Sequence, residues 1–186
     1  MVEGANILKN YDKADLAGKV DIICKHYANI MGIIDGFTER IRYMMENEMA
    51  YKRNKEKGEL GIRIQCGDGH SDFTATSAIN GVITTEAIIQ CDFSGYSIED
   101  IENLTEYFQN ALILRQMRED FALFNKQMFI LGKEETRIFK SYLNREMDIM
   151  GLADAEGVAY RSIIQRVRRA KIKIKIQMED FMGRAA

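Results

Sequence analysis

Not one proline interrupts the 186 residues of this chain, so no pyrrolidine ring breaks a helix or removes a backbone donor anywhere along it. Hydrophobic period and glycine placement then decide the fold, and the period is helical over long stretches. Leu16, Val20, Ile23, Tyr27, Ile30, Ile34, Phe37, Ile41 and Met44 recur at alternating steps of four and three, the seam of a long helix or coiled coil. Gly32 and Gly36 fall inside it at some cost in helix propensity. The plain expectation is an imperfect but intact helix; a second reading lets another helix come close at Gly36. The helix is expected to run through the charged stretch after Tyr51 and to stop near Gly58.

There the period changes. Leu60-Gly-Ile-Arg-Ile-Gln65 alternates as a short strand does, residues 66–72 read as a turn-rich loop, and a cap at Ser71 or Asp72 opens a short helix from about Thr74 to Gln90. Ser97, with Asp100 three residues on, approximates a capping box and starts a second long helix. Its seam runs Ile101, Leu104, Phe108, Ala111, Leu114, Met117, Phe121, Phe124, Met128, Leu131, with an extra step of three near Ala111 that resembles a stammer. Two such seams are expected to pack antiparallel, within one chain or between the chains of a homodimer.

Formal net charge is only -2, but its distribution is uneven. Between Gly157 and Met178 stand seven basic residues, Arg161, Arg166, Arg168, Arg169, Lys171, Lys173 and Lys175, and no acid, while acids dominate from Glu86 to Glu106. A solvated helix face ordinarily mixes both signs, so the basic end is where an anionic partner is expected to dock.

The same end has the pattern of two helices crossing over a tight turn. Residues 133–143 place Ile138, Phe139, Tyr142 and Leu143 on one side of a helix. A short helix then carries the small residue Ala153, Gly157 supplies a residue tolerant of the left-handed conformation, and a further helix repeats Ile163, Val167, Ala170 and Ile174. The strict Lys-Ile alternation over residues 171–176 is that of a strand, but the preceding period is helical and no turn separates them, so the segment is expected to stay helical. Outward near the start of this helix are Tyr160, Arg161, Ile164, Gln165 and Arg168, side-chain types that read base edges from a major groove. Ser162 joins the expected contact set, and Arg166, Arg169, Lys171 and Lys173 flank it, where they would face phosphates.

Leu152-Ala-Asp-Ala-Glu-Gly-Val158, followed by Ile163 and Arg169-Ala-Lys171, resembles region four of bacterial sigma factors over roughly residues 134–176. The wider arrangement, with residues 60–65, 72–76, 91–94 and 117–121 ahead of that terminus, is similar to small sigma-like regulators encoded in phages and prophages of Gram-positive bacteria. The resemblance implies a helix-turn-helix acting in transcription, with double-stranded DNA as partner and RNA polymerase as a further one. Such regulators usually carry Ser or Thr as N-cap of the recognition helix, where this chain has Ala159. No aromatic-rich, basic segment suited to melting a promoter is present, so an activator or adaptor with a region-four-like reader is expected rather than a complete sigma factor.

Other chemistries find little support. Cys66, His70 and Cys91, with His26, lack the second close pair of a zinc site. Gly67-Asp-Gly69 reads as a turn rather than a phosphate cradle, because the Gly-x-x-x-x-Gly-Lys-Ser/Thr and Gly-x-Gly-x-x-Gly patterns are absent. No nucleophile elbow or His-Glu-x-x-His occurs, and Cys24 and His26 turn away from each other on a helix. The expectation is therefore no enzyme, no cofactor and no metal. No basic leader or membrane-length apolar run stands at the start, and three cysteines without CxxC spacing suit a reducing compartment, so a cytoplasmic protein is expected. The whole reads as mainly α: a coiled-coil-like helical stem over residues 1–131, with a two-stranded or irregular middle at 60–72, then a helix-turn-helix domain over 132–186. The alternative is a helical protein-interaction or RNA-polymerase adaptor module without specific DNA reading.

Overall fold

The computed structural model describes residues 2–59, 73–97 and 99–183, and these are mainly helical with no strand among them. The helices are α1 (Val2–Lys13), α2 (Leu16–His26), α3 (Ile30–Glu59), α4 (Phe73–Gln90), α5 (Leu104–Gln127), α6 (Lys133–Leu143), α7 (Ile149–Glu156) and α8 (Tyr160–Gly183). The strand and turn expected over residues 60–72 lie outside the described residues. None of the described helices is long and apolar enough to cross a membrane.

Packing groups these elements into two compact units, Met1–Gly32 with Met117–Ala186, and Ile33–Gln116. A division after Leu131 follows sequence order, whereas side-chain contacts tie the first helices to the last ones. In the first unit the Tyr11 hydroxyl donates to Asp120 Oδ2 at 2.7 Å, both residues being buried, and the Tyr27 hydroxyl donates to Asn125 Oδ1 at 2.6 Å. The Tyr27 ring also meets Phe121 edge-on at 5.3 Å and Phe124 at 5.8 Å. Such aromatic pairs add about 0.5–1.5 kcal/mol beyond the area they bury.

That aromatic cluster coincides with a correction to the first seam. The long helix expected from Leu16 onward is interrupted by a 3-10 turn at Tyr27–Asn29, in the segment where Tyr27 turns onto α5. Asp15 caps α2 by accepting from the Gly18 N–H at 2.8 Å. Beyond the break the buried positions of α3 are Ile34, Thr38, Ile41 and Met45, whereas Phe37 is half-buried and Met44 exposed. A strict seven-residue repeat holds one face only if the helix supercoils; an ordinary helix of 3.6 residues per turn drifts off it, and here the drift amounts to one residue. A Cβ added at Gly32 or Gly36 would meet nothing within 4 Å, so neither glycine serves a close helix approach.

The second seam shifts in the same way. Ser97 and Asp100 do make the reciprocal contact, with the Asp100 N–H on Ser97 Oγ at 3.2 Å and Ser97 Oγ donating to Asp100 Oδ2 at 2.6 Å, but regular helix starts only at Leu104. In the second unit Glu48, in the second half of α3, accepts from the Tyr107 hydroxyl and from Asn103 Nδ2 at 2.7 Å, fastening the start of α5. Tyr107 and Asp120 take buried places where Phe108 and Phe121 are expected, and Phe108 instead packs edge-on against Phe93 at 5.7 Å. The buried positions Ala111, Leu114, Met117 and Asp120 follow one another by three, the overwound pattern of a stammer.

Candidate nucleic-acid interface

The C-terminal helices present the surface that the sequence marks as basic. Asp148 caps α7 by accepting from the Gly151 N–H at 2.7 Å. At its other end Gly157 sits at φ 63°, ψ 30°, its N–H bonded to Asp154 O at 3.2 Å and the Val158 N–H to Ala153 O at 3.1 Å. Those two bonds are the Schellman pattern that stops a helix with a left-handed residue, and α8 starts three residues later. Ala159, just before α8, has no side-chain oxygen to cap it; the Ser162 N–H is bonded instead to the Ala159 carbonyl at 2.8 Å.

One face of α8 buries Ile163, Val167, Ala170, Ile174 and Met178, packed on α2, α6 and α7. Each large side chain so buried contributes about 1.5–3 kcal/mol, which fixes the rotation of α8 and therefore which residues point outward. Ala153, the small residue expected at a crossing, is 6% exposed. Arg137 Nη2 on Glu156 Oε1 at 2.5 Å ties α6 to the end of α7.

Tyr160, Arg161, Ile164, Gln165, Arg168 and Arg169 are exposed together on the opposite side, with Ser162 half-buried at the edge. Arg161 and Arg168 have no ion-pair or hydrogen-bond partner among the described residues, while Arg169 Nη2 reaches Gln165 Oε1 at 3.4 Å. The other cations are answered. Arg166 meets Glu134 at 3.4 Å, Lys173 meets Glu135 at 2.8 Å, and Lys171 and Lys175 both meet Asp21 Oδ1, at 2.8 and 2.6 Å. The run of seven positives is unopposed only along the sequence; α2 and α6 bring acids alongside it.

Sequence reading missed Asp21, Glu134 and Glu135. The two glutamates stand in the first turn of α6 and were visible as charges, but nothing local could pair them with α8 at sequence separations of 32 and 38. Burial works to raise the Asp21 pKa, and hydrogen bonds and charge from Lys171 and Lys175 outweigh it, leaving the carboxyl below its ordinary value. Beside this pair, burial pushes the Cys24 thiol up to about 11, so it stays protonated near neutrality. Among the described residues no group of three or more His, Cys, Asp and Glu could hold a metal ion; Cys66 and His70 lie outside them.

Against this geometry, neither a family model, nor a curated protein, nor a solved structure matches the chain.

Proposed function

We propose that the chain is a sequence-specific DNA-binding regulator of transcription, sigma-like in its reader and derived from a phage or prophage, in which α7 and α8 act as a helix-turn-helix. The observation that carries this reading is the separation of charge along α8. Arg161 and Gln165 stand exposed close to the Gly157 turn, with Arg161 lacking an ion-pair or hydrogen-bond partner among the described residues, whereas Arg166 and the lysines beyond it are paired with acids. An arginine and a glutamine on the exposed side of a helix start suit bidentate contacts to guanine and adenine edges. The paired cations are near enough to the surface to exchange a carboxylate for a phosphate, since exposed ion pairs are worth roughly 0–1 kcal/mol. Contact with RNA polymerase belongs to the same proposal, through the sigma-like resemblance.

Selection from a pool of random duplexes tests it. The wild-type protein is expected to enrich a defined motif, and a pool that stays random after several rounds would contradict the reading.

A second reading, a protein-interaction or adaptor module, has its own observation. Ile79, Val82 and Ile83 on α4 are all more than half exposed, and Tyr43, Asn47, Arg53, Asn80, Thr84 and Tyr96 of the same unit line a groove of about 630 Å³. Single exposed apolar residues need no explanation, but a cluster on one helix marks a surface for a partner.

A further inference from the structure

The outer face of α8 carries its charges in an order that an isolated helix disfavours. Arg161 stands in the first turn, Arg168 and Arg169 near the middle, and Glu179 and Asp180 close to the end. The helix dipole favours acids at the start and cations at the end. Arg168, Glu179 and Asp180 are exposed and without an ion-pair or hydrogen-bond partner among the described residues. Between the two charge pairs, on the same face, Ile172 and Ile176 are 45% and 53% exposed.

This order is self-complementary about Ile174. Arg168 and Asp180 stand equally far on either side of it, as do Arg169 and Glu179, and Ile172 and Ile176. Laid antiparallel on a copy of itself, the helix brings Arg168 and Arg169 opposite acids and Ile172 opposite Ile176, while Lys171, Lys173 and Lys175 keep the acids of their own chain. We propose that α8 pairs antiparallel with α8 of a second copy across this face. Each contact then occurs twice about a twofold axis: Arg168 with the partner's Asp180, Arg169 with the partner's Glu179, Ile172 with the partner's Ile176. A parallel pairing would set like charges opposite each other. Two exposed isoleucines per chain make a small apolar centre beside an ordinary interface of about 1,600 Å², so the free dimer is weak and assembles only at high concentration.

The pairing has a consequence that rests on the DNA reading above, although the pairing itself does not. At about 1.5 Å of rise per residue, two copies of α8 crossing at Ile174 hold their Ile163 levels about 33 Å apart. One turn of duplex separates successive half-sites by about 34–36 Å. A twofold axis between the helices turns both early segments, with Tyr160, Arg161, Ile164 and Gln165, toward the same side.

Sedimentation velocity of the full chain without DNA, at up to roughly 0.1 mM, tests the pairing with charge swaps. The wild type is expected to show a monomer–dimer equilibrium. R168E/R169E and E179K/D180K are each expected to weaken it at least tenfold, because acids then face acids and cations face cations. An equimolar mixture of the two variants restores all four ion pairs and is expected to dimerise again. A wild type that stays monomeric, variants that dimerise unchanged, or a mixture that remains monomeric with intact helical circular dichroism would each overturn the proposal. Should a swapped chain fail to fold, mild oxidation of an equimolar mixture of I172C and I176C decides: a cross-link between position 172 of one copy and position 176 of the other, located by peptide mapping, is expected, and its absence overturns the pairing. A wild type that dimerises yet enriches no duplex motif speaks against the DNA reading alone; a wild type that enriches a motif yet stays monomeric speaks against the pairing alone.

Discussion

Asp21 on α2 accepts from Lys171 on α8 at 2.8 Å, and the same oxygen accepts from Lys175. One carboxylate thus engages two of the cations that the sequence offers to an anion, and it does so from the opposite end of the chain.

Replacing Asp21 with Ala is therefore expected to raise affinity for duplex DNA at low salt by about two- to fivefold, since each released ion pair is worth at most about 1 kcal/mol. The gain should fade as salt rises. Fluorescence anisotropy at several salt concentrations measures it. Unchanged affinity would mean that Lys171 and Lys175 do not approach the phosphates.

Gly157 and Gly36 should respond to alanine in opposite directions. At Gly157, φ 63° is costly for a residue with a Cβ, and Gly157→Ala is expected to lose about 1 kcal/mol. At Gly36, exposed in the interior of α3 with nothing within 4 Å of an added Cβ, alanine is expected to gain up to about 1 kcal/mol. Urea denaturation of the two variants gives both signs.

The Tyr11–Asp120 pair is buried and linked by one hydrogen bond. Burial raises the Asp120 pKa, against the Tyr11 hydrogen bond and the Lys19 charge. A carboxyl whose pKa is higher in the folded state than in the unfolded one favours folding in acid and loses that contribution as pH rises through the folded value. Tyr11→Phe removes the hydrogen bond and should cost about 1.5–3 kcal/mol at neutral pH, because it strands a charged acceptor. Asp120→Asn keeps an acceptor, drops the charge and should flatten the rise of stability toward acid. A double-mutant cycle over a pH series reads both.

Glu48 behaves in the opposite sense. Burial pushes its pKa up, but hydrogen bonds from Tyr107 and Asn103 prevail and hold it below the ordinary glutamate value of 4.5. Its contribution is then present above that value and is lost as pH falls through the lower folded pKa. Glu48→Gln should destabilise the fold at pH 7 and differ little from wild type well below that folded pKa, as thermal melts at the two extremes would show.

Much of the helical framework could be read from the chain. The helix ending at Gln90, the stop at Gly157 and the buried set Ile163, Val167, Ala170 and Ile174 follow from local period and from a glycine that tolerates positive φ. What escaped is tertiary. The break at Tyr27–Asn29 falls where one aromatic ring turns onto α5, the rotation from Met44 to Met45 comes from drift off a seven-residue repeat, and α1 was not anticipated at all. The candidate interface divided in the same way. Outward residues Arg161, Gln165 and Arg168 were legible from helix geometry, whereas the acids facing Arg166, Lys171 and Lys173 arrive through packing of distant helices.

The most direct test of DNA reading by α8 is a titration of isotope-labelled protein with a selected duplex, followed by amide chemical shifts. The largest changes are expected on Gly157, Tyr160, Arg161 and Gln165, and Arg161→Ala with Gln165→Ala is expected to reduce the preference for the selected duplex over a scrambled one by at least tenfold, at about 1–3 kcal/mol per base-edge contact. Changes centred on Ile79, Val82 and Ile83 of α4, or an unaltered preference in the double variant, would contradict it.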